Sequence, residues 1–298
     1  MEPATIRVGV IGLGSMGRPM ARHLAGAHTV SITGRGGPER FADLLDAGAH
    51  WCDSPRDVAG AVDVVVLMLP DLPQVEEVLA GDDGLLAAEP EDLVLIVSST
   101  SSPTGVRRLG DRLVRQTDGR VRLVDAPVSG GTDGAQAGTL SIMVGGPDAA
   151  ARRAMAVLEA CGRPVHLGPL GSGEVAKACN QLIVSAAVLA LGEAAVLADR
   201  SGLELGTLVE LFEGGYADSR ILRTRGPRMV ADDFRPSGMA RYLLKDLDIA
   251  ADVATATRTD TALLPALRAA FADLVARGLG DQDMAVTKRY VEERSRRR

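Results

Sequence analysis

Gly12-Leu13-Gly14-Ser15-Met16-Gly17 decides the fold, because of what stands on either side of it. Before it comes Arg7-Val8-Gly9-Val10-Ile11, a short apolar run of strand character. After it, Met20, Leu24 and Ala27 recur at helical spacing, and a second β-branched run occupies residues 29–33. Strand, glycine turn, helix and strand form the setting in which G-x-G-x-x-G has a physical meaning. Gly12 permits the tight turn and Gly14 lets backbone approach a pyrophosphate. Gly17 lets the helix pack on the strand, and the helix N-terminus supplies N–H groups and a partial positive charge. The whole loop, with Leu13, Ser15 and Met16, therefore reads as a dinucleotide cradle rather than an ordinary glycine turn.

Working outward, residues 62–69, 93–98, 122–125 and 140–144 are further short runs rich in Val, Ile and Leu, bounded by Gly, Pro, Asp or Ser. Helical spacing fills the gaps, as in Val75, Val78 and Leu79. Such alternation predicts a parallel sheet covered on both faces. The pattern changes at Gly168-Pro169-Leu170-Gly171-Ser172-Gly173. Residues 174–199 predict one long helix, apolar nearly all round and so buried between neighbours. Beyond it the chain stays helix-forming, with breaks at Gly214-Gly215, Gly226-Pro227 and Pro236-Ser237-Gly238. The expected fold is α/β: an N-terminal Rossmann domain with a doubly wound parallel sheet over 1–168. An interdomain helix and an all-α domain follow over 169–298.

Composition narrows the function. A chain of 298 residues, 46% hydrophobic, can bury two cores, which excludes intrinsic disorder. Its net charge of −6 argues against nucleic acid as a partner. Arg294-Ser295-Arg296-Arg297-Arg298 reads as a solvated end. Three scattered cysteines, Cys52, Cys161 and Cys179, fit a reducing compartment. The start of the chain shows no basic region before its apolar run. The longest charge-free helical stretch, 178–192, falls short of the roughly 20 residues that span a bilayer. The expectation is a cytoplasmic protein with no membrane partner. His23, His28, His50 and His166 lie far apart, so neither a metal site nor histidine catalysis is expected.

Three further places carry chemistry. After the second strand, where NAD binders place an acid for the ribose 2′-hydroxyl, this chain has Gly34 and then Arg35. Arg35 could pair with a 2′-phosphate, which favours NADP over NAD; stacking on adenine or facing solvent is the alternative. Asp125-Ala126-Pro127-Val128-Ser129-Gly130-Gly131 leaves the fifth strand at the edge where α/β sheets bind ligands. Ser129 with the N–H groups of Gly130 and Gly131 could cradle a carboxylate, though a glycine turn chosen for shape has the same composition. Lys177 lies early in the long apolar helix, with Asn180 and Gln181 three and four positions on, sharing one face. Desolvation would lower its pKa and suit it to proton transfer, where a snorkelling lysine would not be so accompanied. Lys245-Asp246 reads, by itself, as a surface ion pair.

Together these motifs resemble the β-hydroxyacid dehydrogenase family, which includes 3-hydroxyisobutyrate dehydrogenases and tartronate semialdehyde reductases. The resemblance rests on residues 11–21, on 125–131 with Gly138-Thr139-Leu140, on 171–181, and on Lys245-Asp246-Leu247. It implies Lys177 as catalytic acid/base, Asn180 on the substrate, and Ser129, Gly130 and Gly131 on its carboxylate. Leu69, Pro70, Gln74 and Thr100 would line the dinucleotide site, with Lys245 closing over the cofactor. A homodimer or homotetramer is also implied. Asn180-Gln181 and the run Gly214-Gly215-Tyr216 are similar to the reductases, whereas Pro236-Ser237-Gly238-Met239 lacks an aromatic residue that many members carry there. The expected activity is reversible hydride transfer between a nicotinamide and a small 3-hydroxy acid or its semialdehyde. The alternatives are an imine reductase-like enzyme, against which the lysine counts, and a non-catalytic dinucleotide-sensing protein.

Overall fold

The computed structural model describes residues 6–296, so Arg297 and Arg298 of the basic run lie outside the described residues. The chain divides into two compact units between Lys177 and Ala178. The first unit opens with β1 (Arg7–Ile11), α1 (Gly17–Ala25), β2 (Thr29–Thr33), α2 (Ala42–Asp46), β3 (His50–Trp51) and α3 (Pro55–Ala61). It continues through β4 (Val64–Leu67), α4 (Leu72–Leu79), β5 (Leu93–Val97), α5 (Pro103–Gln116) and β6 (Val121–Asp125). Then come β7 (Val128–Ser129), α6 (Gly131–Ala137), β8 (Leu140–Gly145), α7 (Asp148–Leu158) and β9 (Gly162–Gly168). Helix α8 (Ser172–Arg200) runs from this unit into the next.

The strands lie in the order β3-β2-β1-β4-β5-β6-β8-β7, and all neighbours from β3 to β6 are parallel. Order 3-2-1-4-5-6 is the doubly wound arrangement of dinucleotide-binding sheets. Alternation within the strands shows why. Val64, Val66, Val94 and Ile96 belong to one apolar cluster, and Val65, Leu67, Leu93, Leu95 and Val97 to another. Successive side chains point to opposite faces, and both faces are dry, so the sequence reads as unbroken apolar runs.

The expectation of a wholly parallel sheet needs correction at one end. β8 runs antiparallel to both β6 and β7 and parallel to β9. Three strands were not predicted. β3 and β7 are each two residues long, too short for an alternating pattern. β9 is an edge strand containing Pro164, with Val165 and Leu167 still 41% and 45% exposed.

Among the described residues the second unit is helical apart from an isolated bridge between Met239 and Asp283. It packs α9 (Leu205–Phe212), α10 (Arg220–Val230), α11 (Ala240–Thr257), α12 (Leu264–Ala276) and α13 (Thr287–Ser295) around Val188, Leu222, Met229, Leu247, Phe271 and Tyr290. At its corner Asp283, fully buried, pairs with Arg225 and Arg228 and accepts from the Gly238 N–H and the Ser237 hydroxyl. That fixes the Pro236-Ser237-Gly238-Met239 turn. Helix α8 is 29 residues long, well beyond its charge-free stretch, and its most apolar window has a mean hydropathy of 1.9. By length and composition it could cross a bilayer, contrary to the expectation from the charge-free stretch alone. It is also not buried all round: Ile183 and Leu197 are each 68% exposed.

Candidate active site

Because β1, β4, β5 and β6 are parallel, their carboxyl ends share one edge of the sheet. The Met68 N–H donates to the Ile11 carbonyl at 2.9 Å, Ser98 N–H to Leu67 at 2.9 Å, and Ala126 N–H to Val97 at 2.8 Å. These bonds step across that edge. They set the Gly12–Gly17 turn beside Leu69 and Pro70 after β4, and Thr100 after β5. Gln74 stands in the first turn of α4, whose N-cap is Asp71. Arg35 follows β2, beside β1, and is exposed.

The glycines of the turn match the demands of a phosphate cradle. Gly12 has φ +99°, and a Cβ there would stand 2.2 Å from the Met68 carbonyl oxygen. A Cβ on Gly17 would meet the Gly12 carbonyl oxygen at 1.9 Å, so only glycine lets α1 start this close to the strand. Gly14 is exposed, and a Cβ on it would meet nothing within 4 Å: this is the face open to a ligand. Helix α1 has no side-chain cap and no acidic residue in its first turn. Its leading N–H groups and dipole suit a pyrophosphate. The residues present thus fit a dinucleotide.

Beyond β6 the chain enters β7 and then α6, which places Ser129, half-buried, at the end of β7, with Gly130 after it and Gly131 opening α6. Asp125, the last residue of β6, has no exposed surface. Its Oδ1 accepts from Gly171 N–H at 2.6 Å and its Oδ2 from Glu174 N–H at 2.8 Å, so one carboxylate caps the start of α8. Burial pushes the Asp125 carboxyl up to about 6, although the N–H groups of Gly171 and Glu174 pull the other way. Glu174, also fully buried, accepts the Ser101 N–H on Oε2 at 3.0 Å, which ties the first turn of α8 to the loop after β5. Lys177 follows one turn later and is 7% exposed. It is a buried amine on a helix end held by two carboxylates.

Asn180 and Gln181 continue α8 within the second unit. Asn180 Nδ2 donates to Gln181 Oε1 at 2.8 Å, and Gln181 Nε2 donates to Asp246 Oδ2 at 2.5 Å. Asp246 is 5% exposed, so the reading of Lys245-Asp246 as a surface pair is corrected. Lys245, half-buried on α11, holds its Nζ 3.5 Å from Asp246 Oδ1. Among the described residues no group of three or more His, Cys, Asp and Glu side chains is placed to hold a metal.

Two family descriptions together match residues 7–291. Residues 7–171 match the NAD-binding domain of 6-phosphogluconate dehydrogenase, and residues 171–291 match the NAD-binding domain of NADP-dependent 3-hydroxyisobutyrate dehydrogenase. The 2-hydroxy-3-oxopropionate reductase of Escherichia coli K12 is 39% identical, over 84% of this chain and 85% of its own length. The chain belongs to the β-hydroxyacid dehydrogenase family. A 3-hydroxyisobutyrate dehydrogenase of Pseudomonas aeruginosa is 34% identical, over 86% of this chain and 88% of its own. The solved structure of Mycobacterium tuberculosis 3-hydroxyisobutyrate dehydrogenase with L-serine superimposes with a TM-score of 0.81 at 31% identity, covering 96% of this chain and 99% of that one.

As a β-hydroxyacid dehydrogenase the chain is an NAD(P)-dependent oxidoreductase, with a nicotinamide as cofactor. Four polar residues around its α8 escaped the sequence reading: Asp125, Glu174 and Ser101 at the helix start, and Asp246 as a buried partner. Asp125 and Asp246 each stood inside a quoted motif, but nothing in sequence spacing reveals which carboxylate is dry.

Proposed function

We propose that this β-hydroxyacid dehydrogenase interconverts a small 3-hydroxy acid and its semialdehyde, of the tartronate semialdehyde or 3-hydroxyisobutyrate type, with Lys177 as general acid/base. The observation that carries the reading is a single buried lysine on the capped first turns of α8, one turn before Asn180. A bound nicotinamide supplies or takes up the hydride. In reduction Lys177 gives its proton to the oxygen that becomes the hydroxyl, and in oxidation it takes that proton back. The proton moves between Nζ and one oxygen atom, so the fixed start of α8 matters: general acid/base catalysis needs hydrogen-bond reach. Ser129 with the N–H groups of Gly130 and Gly131 holds the carboxylate and thereby fixes which face of the reacting carbon is presented. Asn180 orients the substrate against the amine.

The 2-hydroxy-3-oxopropionate reductase likeness and the Asn180-Gln181 pair favour tartronate semialdehyde as the first substrate to assay. Arg35 after β2, with no acid beside it, favours NADP, held by residues 12–17, Leu69, Pro70, Gln74 and Thr100, with Lys245 as a further cofactor residue. The enzyme works in the cytoplasm as a homodimer or homotetramer. Imine reduction and ligand sensing are not favoured, because a proton-transferring amine is retained.

Lys177→Ala tests the reading. Turnover of tartronate semialdehyde should fall about 10²- to 10⁴-fold, the usual worth of a positioned acid/base, while NADPH binding by fluorescence stays within twofold. Near wild-type rates in that variant would remove the lysine from the mechanism.

A further inference from the structure

β8 runs against the chain that leaves β6, and one register holds throughout. Asp125 stands opposite Gly145, Val128 opposite Ile142 and Ser129 opposite Ser141, while the Met143 N–H donates to the Pro127 carbonyl at 3.0 Å. Side chains along such a ladder alternate between two faces. Val124, Ala126, Val128, Ile142 and Val144 all enter the apolar cluster on one of them. Positions 125, 129, 141, 143 and 145 therefore belong to the other. That second face is where α8 begins, because the Asp125 carboxyl accepts from the Gly171 and Glu174 N–H groups there.

The seat is tight. A Cβ on Gly145 would stand 2.8 Å from the backbone nitrogens of Ser172 and Gly173, and one on Gly173 would stand 2.1 Å from the Met143 carbonyl oxygen. Glycine at each position lets the helix start lie directly on β8. Ser129 follows Asp125 by four residues, about 13 Å along the same ladder. Lys177 follows Glu174 by one turn of α8. The carboxylate cradle and the amine thus hang on a single strand, all within the first unit.

We infer that Asp125, Gly145 and Gly173 are positioning residues, which seat the start of α8 on β8 and so fix where Lys177 stands relative to the Ser129–Gly131 cradle. The inference rests on the reading in which Lys177 transfers the proton and that cradle holds the carboxylate. It adds what keeps the two in mutual register. An amine displaced by about an ångström from the reacting oxygen loses rate about 10²-fold, although substrate still binds through its carboxylate.

Gly173→Ala and Asp125→Asn test the seat from its two sides. Tartronate semialdehyde reduction is followed at pH 8, where Asp125, with its pKa pushed up to about 6, is a carboxylate. Gly173→Ala should lower kcat about 10²-fold. Asp125→Asn, which replaces one acceptor oxygen by an N–H donor, should lower it about tenfold. In both, the KM for tartronate semialdehyde should stay within threefold and NADPH binding by fluorescence within twofold. The solvent deuterium isotope effect on kcat should rise, because proton transfer becomes the slow step. Val157→Ala opens a cavity in the core on the opposite face and should lose stability with kcat unchanged, so general loosening does not give this split. Unchanged kcat in the folded variants, or a KM that rises in step with the fall in kcat, would overturn the inference. Should neither variant fold, amide hydrogen exchange on the wild type decides: Gly171 and Glu174 should exchange as slowly as β8, and free exchange there overturns it equally. A wild type that reduces no semialdehyde, or a Lys177→Ala variant that keeps its rate, would instead count against the underlying reading. Loss of activity in Lys177→Ala beside normal kcat in Gly173→Ala and Asp125→Asn condemns the seat alone.

Discussion

Arg35 is the side chain on which the proposed preference for NADP turns. It stands exposed after β2, next to Gly34, where a carboxylate would repel a 2′-phosphate and accept from a 2′-hydroxyl. A guanidinium does the reverse, and a phosphate offers it a bidentate partner. Arg35→Ala should raise the KM for NADP about tenfold or more while leaving that for NAD within twofold, since hydrogen bonds to charged groups contribute about 1.5–3 kcal/mol. Equal losses for both nicotinamides in steady-state assays would show that Arg35 reads something other than the 2′ position. At this scale the sequence was informative wherever a residue type was unusual for its surroundings. Lys177 stood out in an apolar helix, and the glycines of 12–17 stood out between strand and helix. Asp125 and Asp246 did not, because an aspartate beside a strand end or a lysine is ordinary until burial is known. Their roles depend on partners 46 and 65 residues away in the chain, Gly171 and Gln181.

At the scale of elements, α8 was legible as a helix but not in how it begins. Its first turn is capped from below by Asp125 rather than by a residue just before it, so no local capping signal precedes it. The cost is a dry carboxylate. Its pKa rises from the usual 3.8 to about 6, a difference worth about 3 kcal/mol between the folded and unfolded chain. A raised pKa means that folding favours the protonated form. The resulting stabilisation is complete below about pH 4 and is lost as pH rises through 6. Asp43 and Asp63 work in the opposite sense, since hydrogen bonds from Arg18 and Arg7 hold their carboxyls below the usual value; what they contribute is lost as pH falls below 4. Urea unfolding between pH 4.5 and 8 should show wild type losing stability through the lower half of that window, up to about pH 6, and Asp125→Asn should flatten the slope. Parallel slopes for the two proteins would mean that Asp125 does not titrate there. Strands followed the same division between local and remote causes. Those buried on both faces, β1, β2 and β4 to β6, were legible from composition. The two-residue β3 and β7 and the edge strand β9 exist because a neighbour supplies their hydrogen bonds, which no local pattern encodes.

For the whole molecule the open question is what covers the outer side of α8. Cys179, Ile183, Ala190, Glu193 and Leu197 are exposed, and the half-buried Ala186 lies between them; the steps of four, three, four, three and four residues keep them on one face. Only 39% of the most apolar window is buried. Burying a side chain such as Ile183 or Leu197 contributes about 1.5–3 kcal/mol, so a long apolar seam left in water would be a standing liability. A bilayer is a poor cover, because the same helix bears Lys177, Gln181 and Glu193 within three turns on either side of Ile183 and Ala190. A second copy offering the same seam in antiparallel register is a better one, since a two-fold axis at the middle of the face would set Ile183 against Leu197 of the partner subunit. Light scattering coupled to gel filtration should give at least twice the chain mass of 31.1 kDa without detergent. The Ile183→Asp, Leu197→Asp pair should shift the protein to the single-chain mass with its helical circular dichroism retained. A monomeric wild type, or one that needs detergent to stay in solution, would show that this face meets something other than its own kind.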